Sequence, residues 1–174
     1  MYGLETSIKQ CQFCNLRDID IKKGRQVPVG WGKGKIMVIG LAPSDSRQDS
    51  FYAMKAVSEG DTANILNDVM KAVGLKEEDF YITNLVKCSF PSNECDEKYF
   101  DICYNRWLLK EIIRCSPTKI ICLGDAVYKY ISSKSYLTSI FDIRKVWHHS
   151  YLSRNRSEEK EKEWEEQWRK IISD

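Results

Sequence analysis

The feature that most narrows the fold is an alternation of short apolar runs, each ending in a tight or polar turn, with stretches of helical periodicity. Ile36–Gly40, Phe80–Val86 and Lys119–Leu123 read as buried strands, and Arg144–His148 as a weaker fourth. Continuous apolar runs of this length suit strands covered on both faces, as in a parallel sheet. Between them, Thr62 can cap a helix whose Ile65, Leu66, Val69, Met70 and Val73 share one face, with Gly74 at its end. Asp96–Arg114 repeats the helical pattern through Phe100, Cys103, Trp107, Leu108 and Ile112, and Ser116-Pro117 stops it. Asp125–Ile131 follows the third strand, and Ser157–Ile172 forms a charged tail helix on which Trp164 and Trp168 make a docking face. The expectation is an α/β architecture with helices on both faces of a parallel sheet. Such sheets bind ligands beyond the carboxyl ends of their strands. Here those ends carry Gly40-Leu41-Ala42-Pro43-Ser44, Thr83-Asn84 with Lys87-Cys88, Gly124-Asp125, and His148-His149-Ser150.

A chain of 174 residues suits one domain, expected to span 1–174. Lys+Arg 27 against Asp+Glu 25 leaves a net charge of +2, so any basic surface for nucleic acid must be local. A mean hydropathy of -0.46 and no apolar run near the length of a span argue against a membrane segment. The opening MYGLETSIKQ has no basic region followed by an apolar stretch, so no export leader and a reducing, cytoplasmic compartment are expected. There, the seven cysteines read as metal or redox groups rather than disulfides. Cys11-x2-Cys14, with Cys88 and Cys103 later, form a soft donor set that selects zinc or an iron–sulfur cluster over hard cations. Cys122, inside an apolar run, is expected in the core, while Cys95 and Cys115 carry no assignment.

Four segments, VGWGKGKIMVIGLAPS, YITNLVKCSFPSNE, RCSPTKIICLGDA and WHHSYLSRN, resemble in order the iron–sulfur branches, four and five, of the uracil-DNA glycosylase superfamily. The resemblance implies a three-layer α-β-α sandwich around a four-stranded parallel sheet. It implies a monofunctional enzyme, working as a monomer, that hydrolyses the N-glycosidic bond of uracil in single- or double-stranded DNA and extends to other deaminated bases. It further implies a 4Fe–4S cluster on Cys11, Cys14, Cys88 and Cys103, with a structural zinc site as the rival for the same cysteines.

The chemistry of base excision gives each matched residue a task. The base must be extruded, held by its Watson–Crick edge and stacked upon, and donors must meet the charge that develops on uracil as the bond breaks. Asn84 matches the base-reading amide, which can donate to uracil O4 and accept from N3–H, a pairing that cytosine reverses. His148 matches the donor to uracil O2, with His149 in place of the family's Pro. Gly40, Leu41, Ala42, Pro43 and Ser44 would line the uracil pocket. In branch four the second of these positions is an acidic residue that activates water. Leu41 cannot do so, and Gly60-Asp61 matches the Gly-Asp of branch five, so Asp61 is the expected catalytic carboxylate. The stacking aromatic falls to Phe51 or Tyr52. Ser150, Tyr151, Leu152 and Arg154 would form a loop entering the minor groove, with Leu152 as wedge and Arg154 and Arg156 on phosphate. The alternative that Leu41 leaves open is a DNA- or uracil-binding protein on the same fold with its chemistry lost.

Overall fold

A computed structural model describes residues 3–43, 68–90, 96–155 and 157–173. Ser44, Phe51, Tyr52, Asp61, Cys95 and Arg156, together with the expected helix start at Thr62, lie outside the described residues. Two short helices, α1 (Gly3–Lys9) and α2 (Leu16–Lys22), lead in. The strands are β1 (Trp31–Gly32), β2 (Ile36–Gly40), β3 (Phe80–Asn84), β4 (Lys119–Leu123) and β5 (Asp142–Val146). Before β3 lies helix α3, described over residues 68–72. After it come α4 (Lys98–Cys103), a π-helical turn (Tyr104–Leu108) and α5 (Leu109–Cys115), which together make the single helix expected from the sequence. The chain continues through α6 (Asp125–Ser132), α7 (Ser135–Thr138), α8 (His149–Arg154) and α9 (Glu158–Ser173).

The sheet order is β1-β3-β2-β4-β5. Four strands run parallel, as expected, but among the described residues the sheet has five: β1 pairs antiparallel with β3 through Trp31 and Ile82. A two-residue strand is too short to show alternation, which is why no pattern announced it. β3 ends at Asn84 rather than Val86. Leu85 and Val86 instead donate to the Gly40 and Leu41 carbonyls, both at 2.8 Å, beyond the regular ladder. β5 lies two residues before its expected position, because an edge strand with half-exposed Asp142 and Arg144 does not look like a buried run.

Alternation along the strands builds two cores. Met37, Ile39, Ile120 and Cys122 face Leu108, Ile112, Val127 and Ile131, with Ile8 and Leu16 of the lead-in. Val38, Ile82, Ile121 and Leu123 face Val69, Met70, Leu152, Trp164 and Trp168. The expected placement of Cys122 in the core holds. Trp164 and Trp168, 2% and 0% exposed, dock α9 onto the chain's own sheet, and Trp164 Nε1 donates to the Trp147 carbonyl at 2.9 Å. No helix among the described residues is long and apolar enough to cross a membrane.

Candidate functional site

Parallel strands place all their carboxyl ends on one edge of the sheet. β2 is the strand at which the order reverses, since β3 lies on one side of it and β4 on the other. Such a reversal is where an open parallel sheet places its ligand crevice. Gly40 closes β2 at this point and pairs with Asn84 at the end of β3. Asn84 is 4% exposed, and its amide lies over Gly40: a Cβ on residue 40 would stand 2.5 Å from Asn84 Oδ1. The glycine is thus the space in which the amide sits. Leu41 and Ala42, half-buried, pack onto the adjoining core, and Pro43 is half-buried beside them. Leu41 is consequently a wall, not an acid.

On the far side, Gly124 follows β4 with a φ of +88°, and a side chain there would press on His148 Cβ at 3.4 Å. His148 follows β5 and forms the N-cap of α8, its Nδ1 accepting the Ser150 backbone N–H at 3.1 Å and facing the Ser150 hydroxyl at 2.7 Å. A backbone N–H can only donate, so Nδ1 carries no proton, and the neutral ring holds its proton on Nε2. Burial, helped by the Arg154 charge, lowers the His148 pKa to about 4. His149 stacks on it at 4.1 Å and is lowered to about 3, by burial and then by His148. Both rings are therefore neutral at pH 7, and His148 Nε2–H is a neutral donor with no carboxylate against it among the described residues.

The stretch expected as a DNA-facing loop is helix α8. Ser150 is engaged in capping on His148. Leu152, expected as the wedge, is 0% exposed and packs in the core beneath α9, because it falls on the inward face of the helix. Tyr151 is the exposed ring there, edge-on to Trp147 at 5.2 Å with Lys160 donating to its hydroxyl at 3.0 Å. Arg154 is exposed at the helix end.

The four candidate metal-binding cysteines gather within the first of the two cores. Cys11, Cys88 and Cys103 are buried in one cluster, and Cys14 packs against it. Their lead-in is fixed by Asp20, fully buried, whose Oδ2 accepts the Ser89 amide at 3.2 Å, and by Tyr99, which donates to Asn15 Oδ1 at 2.8 Å. Burial first, then the charge of neighbours including the other thiols, pushes the Cys88 thiol well up. Burial likewise raises Cys14 and takes Cys103 up to about 11. Such thiols shed their protons only to a bound cation. The sulfurs are also supplied with donors: Trp107 Nε1–H reaches Cys11 Sγ at 3.3 Å, the Lys87 backbone reaches Cys103, and the Leu16 and Arg17 backbones reach Cys14. N–H donors on sulfur are what a thiolate-bound centre uses to spread its charge. Among the described residues, no three His, Cys, Asp or Glu side chains close around a single metal ion as they stand. The donor set fits a thiolate-held group by type, burial and hydrogen bonding.

Sequence reasoning missed a buried polar knot behind Asn84, formed by Thr83, Lys87 and Glu111. The signals were present: a lysine within the apolar stretch Leu85–Cys88, and a glutamate one turn after Trp107 on the core face of its helix.

Residues 28–172 match the profile of the Uracil DNA glycosylase superfamily. The chain belongs to that superfamily. Among curated members, it is 30% identical over 137 residues to a type-4 uracil-DNA glycosylase of Archaeoglobus fulgidus, covering 75% of this chain and 64% of the relative. It is 30% identical over 127 residues to the type-4 enzyme of Saccharolobus solfataricus, covering 73% and 56%. A type-4 enzyme of Thermotoga maritima is 27% identical over 168 residues, covering 87% and 82%. The chain thus spans less than two thirds of the length of the first two relatives. Cys11 and Cys14 precede the superfamily match, and Cys88 and Cys103 lie within it.

Proposed function

We propose that this chain is a monofunctional uracil-DNA glycosylase, removing uracil from DNA by hydrolysis of the N-glycosidic bond. The observation that carries the reading is the pairing of a buried amide, Asn84, with a neutral imidazole donor, His148, on one sheet edge between two glycine-floored strand ends. Three strand gaps separate β3 from β5, about 14 Å of backbone, a span that the two side chains and one pyrimidine ring can fill. Asn84 would donate to uracil O4 and accept from N3–H. As the C1′–N1 bond breaks, its electron pair leaves with the base, and His148 Nε2–H meets the growing charge on O2. A neutral donor keeps its proton while stabilising the anion. Water then adds at C1′ and releases a proton. Asp61, matched by sequence to the branch-five carboxylate, would orient that water, and Phe51 or Tyr52 would supply the stacking ring. Relatives named type-4 uracil-DNA glycosylases support the substrate. Arg154, exposed beyond His148, would meet a DNA phosphate.

The same reading gives Cys11, Cys14, Cys88 and Cys103 a 4Fe–4S cluster, supported by three buried thiols, the half-buried Cys14 beside them, and the N–H donors on Cys11, Cys14 and Cys103. When bound, the group supplies a cross-link between the N-terminal lead-in and the segments around β3 and α4. Iron and acid-labile sulfide analysis separates it from zinc on the same thiols.

The deciding assay incubates anaerobically purified protein with a uracil-containing oligonucleotide and cleaves any abasic product with alkali. Cleavage by the wild type and not by an Asn84→Ala/His148→Ala double variant supports the proposal. Leu41 favours one second reading, a uracil- or DNA-binding protein without turnover. Retained uracil-DNA binding by metal-replete protein without any cleavage, on single and double strands, would establish that reading instead.

A further inference from the structure

Behind the strand end that holds Asn84, two charged side chains are sealed from solvent: Lys87 and Glu111 are each 1% exposed. The three Nζ protons of Lys87 are all used, on the Thr83 hydroxyl (2.6 Å), on the Asn84 carbonyl (2.8 Å) and on the Glu111 carboxylate. Glu111 in turn accepts from the Gly30 amide at 3.3 Å, from the Tyr81 hydroxyl at 3.1 Å and from the Thr83 hydroxyl at 3.1 and 3.2 Å. The network is closed, with each oxygen of the carboxylate and each proton of the ammonium engaged.

Stability is a weak reason for such a pair. Stripping two charges of water costs so much that an apolar pair of similar volume often holds a fold as well or better. What an apolar pair cannot do is grip named polar atoms, and here those atoms belong to two different places. The Lys87 side chain folds back to the carbonyl of Asn84, fixing the peptide at the strand end. Its backbone N–H hydrogen-bonds the Cys103 thiol, and its chain neighbour is Cys88. Glu111 anchors the same knot to α5, which continues the helix bearing Cys103, and to Gly30 beside β1.

We infer that Lys87 and Glu111 are positioning residues that strap the base-reading end of β3 to the thiol centre, so that uracil turnover and retention of the metal group depend on one buried pair. The strap rests on the glycosylase reading for its activity arm and on the thiol-centre reading for its metal arm, and the two arms are read separately.

The test is a Lys87→Met/Glu111→Leu double variant of the full chain, in which both charges go together and neither is stranded. It is compared with wild type and with Lys87→Gln/Glu111→Gln. The expected result is a Tm near wild type, with kcat on a uracil oligonucleotide down about 10–100-fold at unchanged KM, the loss usual when a supporting partner is removed. Bleaching of the visible absorption by a chelator should be faster by a similar factor. A pair that only held the fold together would shift Tm and leave kcat and bleaching of the folded protein at wild-type values; that pattern overturns the inference. If the double variant does not fold, Lys87→Gln/Glu111→Gln removes both charges while keeping polar side chains of similar shape, and the same outcomes in it support or overturn the inference. A wild type that holds metal yet excises no uracil refutes the glycosylase reading alone, and the bleaching comparison still decides the strap. A wild type with neither activity nor metal overturns both.

Discussion

Leu152 separates two accounts of α8, one in which its side chain serves DNA and one in which it serves the core. The structure places it at 0% exposure beneath Trp164 and Trp168. Leu152→Ala deletes three carbons, which at about 0.8 kcal/mol per buried methylene removes about 2.4 kcal/mol of transfer energy. Incomplete collapse of the resulting void adds roughly 1–2 kcal/mol, for a total of about 3–4 kcal/mol. For a chain of 174 residues, that corresponds to a fall in Tm of about 6–16 °C. The assay is thermal unfolding by circular dichroism at pH 7, paired with uracil excision measured well below the variant's Tm. Leu152→Ala should unfold early and still turn over at near the wild-type rate when cold. Tyr151→Ala, on the exposed side of the same helix, should unfold close to wild type and lose affinity for DNA. A Leu152→Ala protein with wild-type Tm and impaired excision would show the side chain leaving the core to meet DNA, and the reasoning would be wrong.

Gly40→Ala places a methyl group where the Asn84 amide now sits, 2.5 Å from its Oδ1. Because the displaced group is the end of a rotatable side chain, Tm should barely move, whereas excision should fall by about 10²-fold, as for a misplaced reacting group. Unchanged kcat/KM would remove Asn84 from base recognition. The His148 ring, neutral in the fold down to about pH 4, titrates near 6.5 when unfolded. The unfolded chain then binds the extra proton between those values, so the ring's contribution is complete above pH 6.5 and is lost as pH falls toward 4. Wild type should therefore lose more Tm than His148→Gln between pH 7 and pH 4.5, and equal losses would contradict the buried neutral ring. His149, lowered to about 3, adds loss in the same direction to both proteins. Arg154→Ala should weaken DNA binding and flatten its dependence on salt by about one counterion, measured by fluorescence anisotropy from low to moderate salt; an unchanged slope would exclude a phosphate contact.

The central strands were legible to the residue: β2 and β4 span Ile36–Gly40 and Lys119–Leu123 as their apolar runs predicted, since both are covered on two faces. The same rule misplaced β5, whose half-exposed edge carries charge, and could not see two-residue β1 at all. α8 escaped because a helix of six residues capped by His148 has neither the length nor the Ser, Thr, Asp or Asn start that marks a helix in sequence. At the candidate site, residue type and motif order pointed to Asn84, His148 and the cysteines. Which way a side chain faces is a tertiary fact: Ser150 turns to His148, Leu152 turns inward, and Lys87 finds Glu111 across 24 positions of chain. Composition carries the presence of a buried charge but not the identity of its partner.

The order of the sheet has a consequence for how the molecule keeps company. One edge is only the two residues of β1, too short to template another strand. The other is β5, where Asp142 binds Arg144 and Lys119, and Lys145 binds Asp125. A strand approaching that edge meets charges already engaged with their own neighbours, the arrangement by which sheets resist edge-to-edge aggregation. With both described margins blunted, by length at β1 and by charge at β5, the sheet resists extension by another strand. Recognition is left to the loops and side chains at the strand ends.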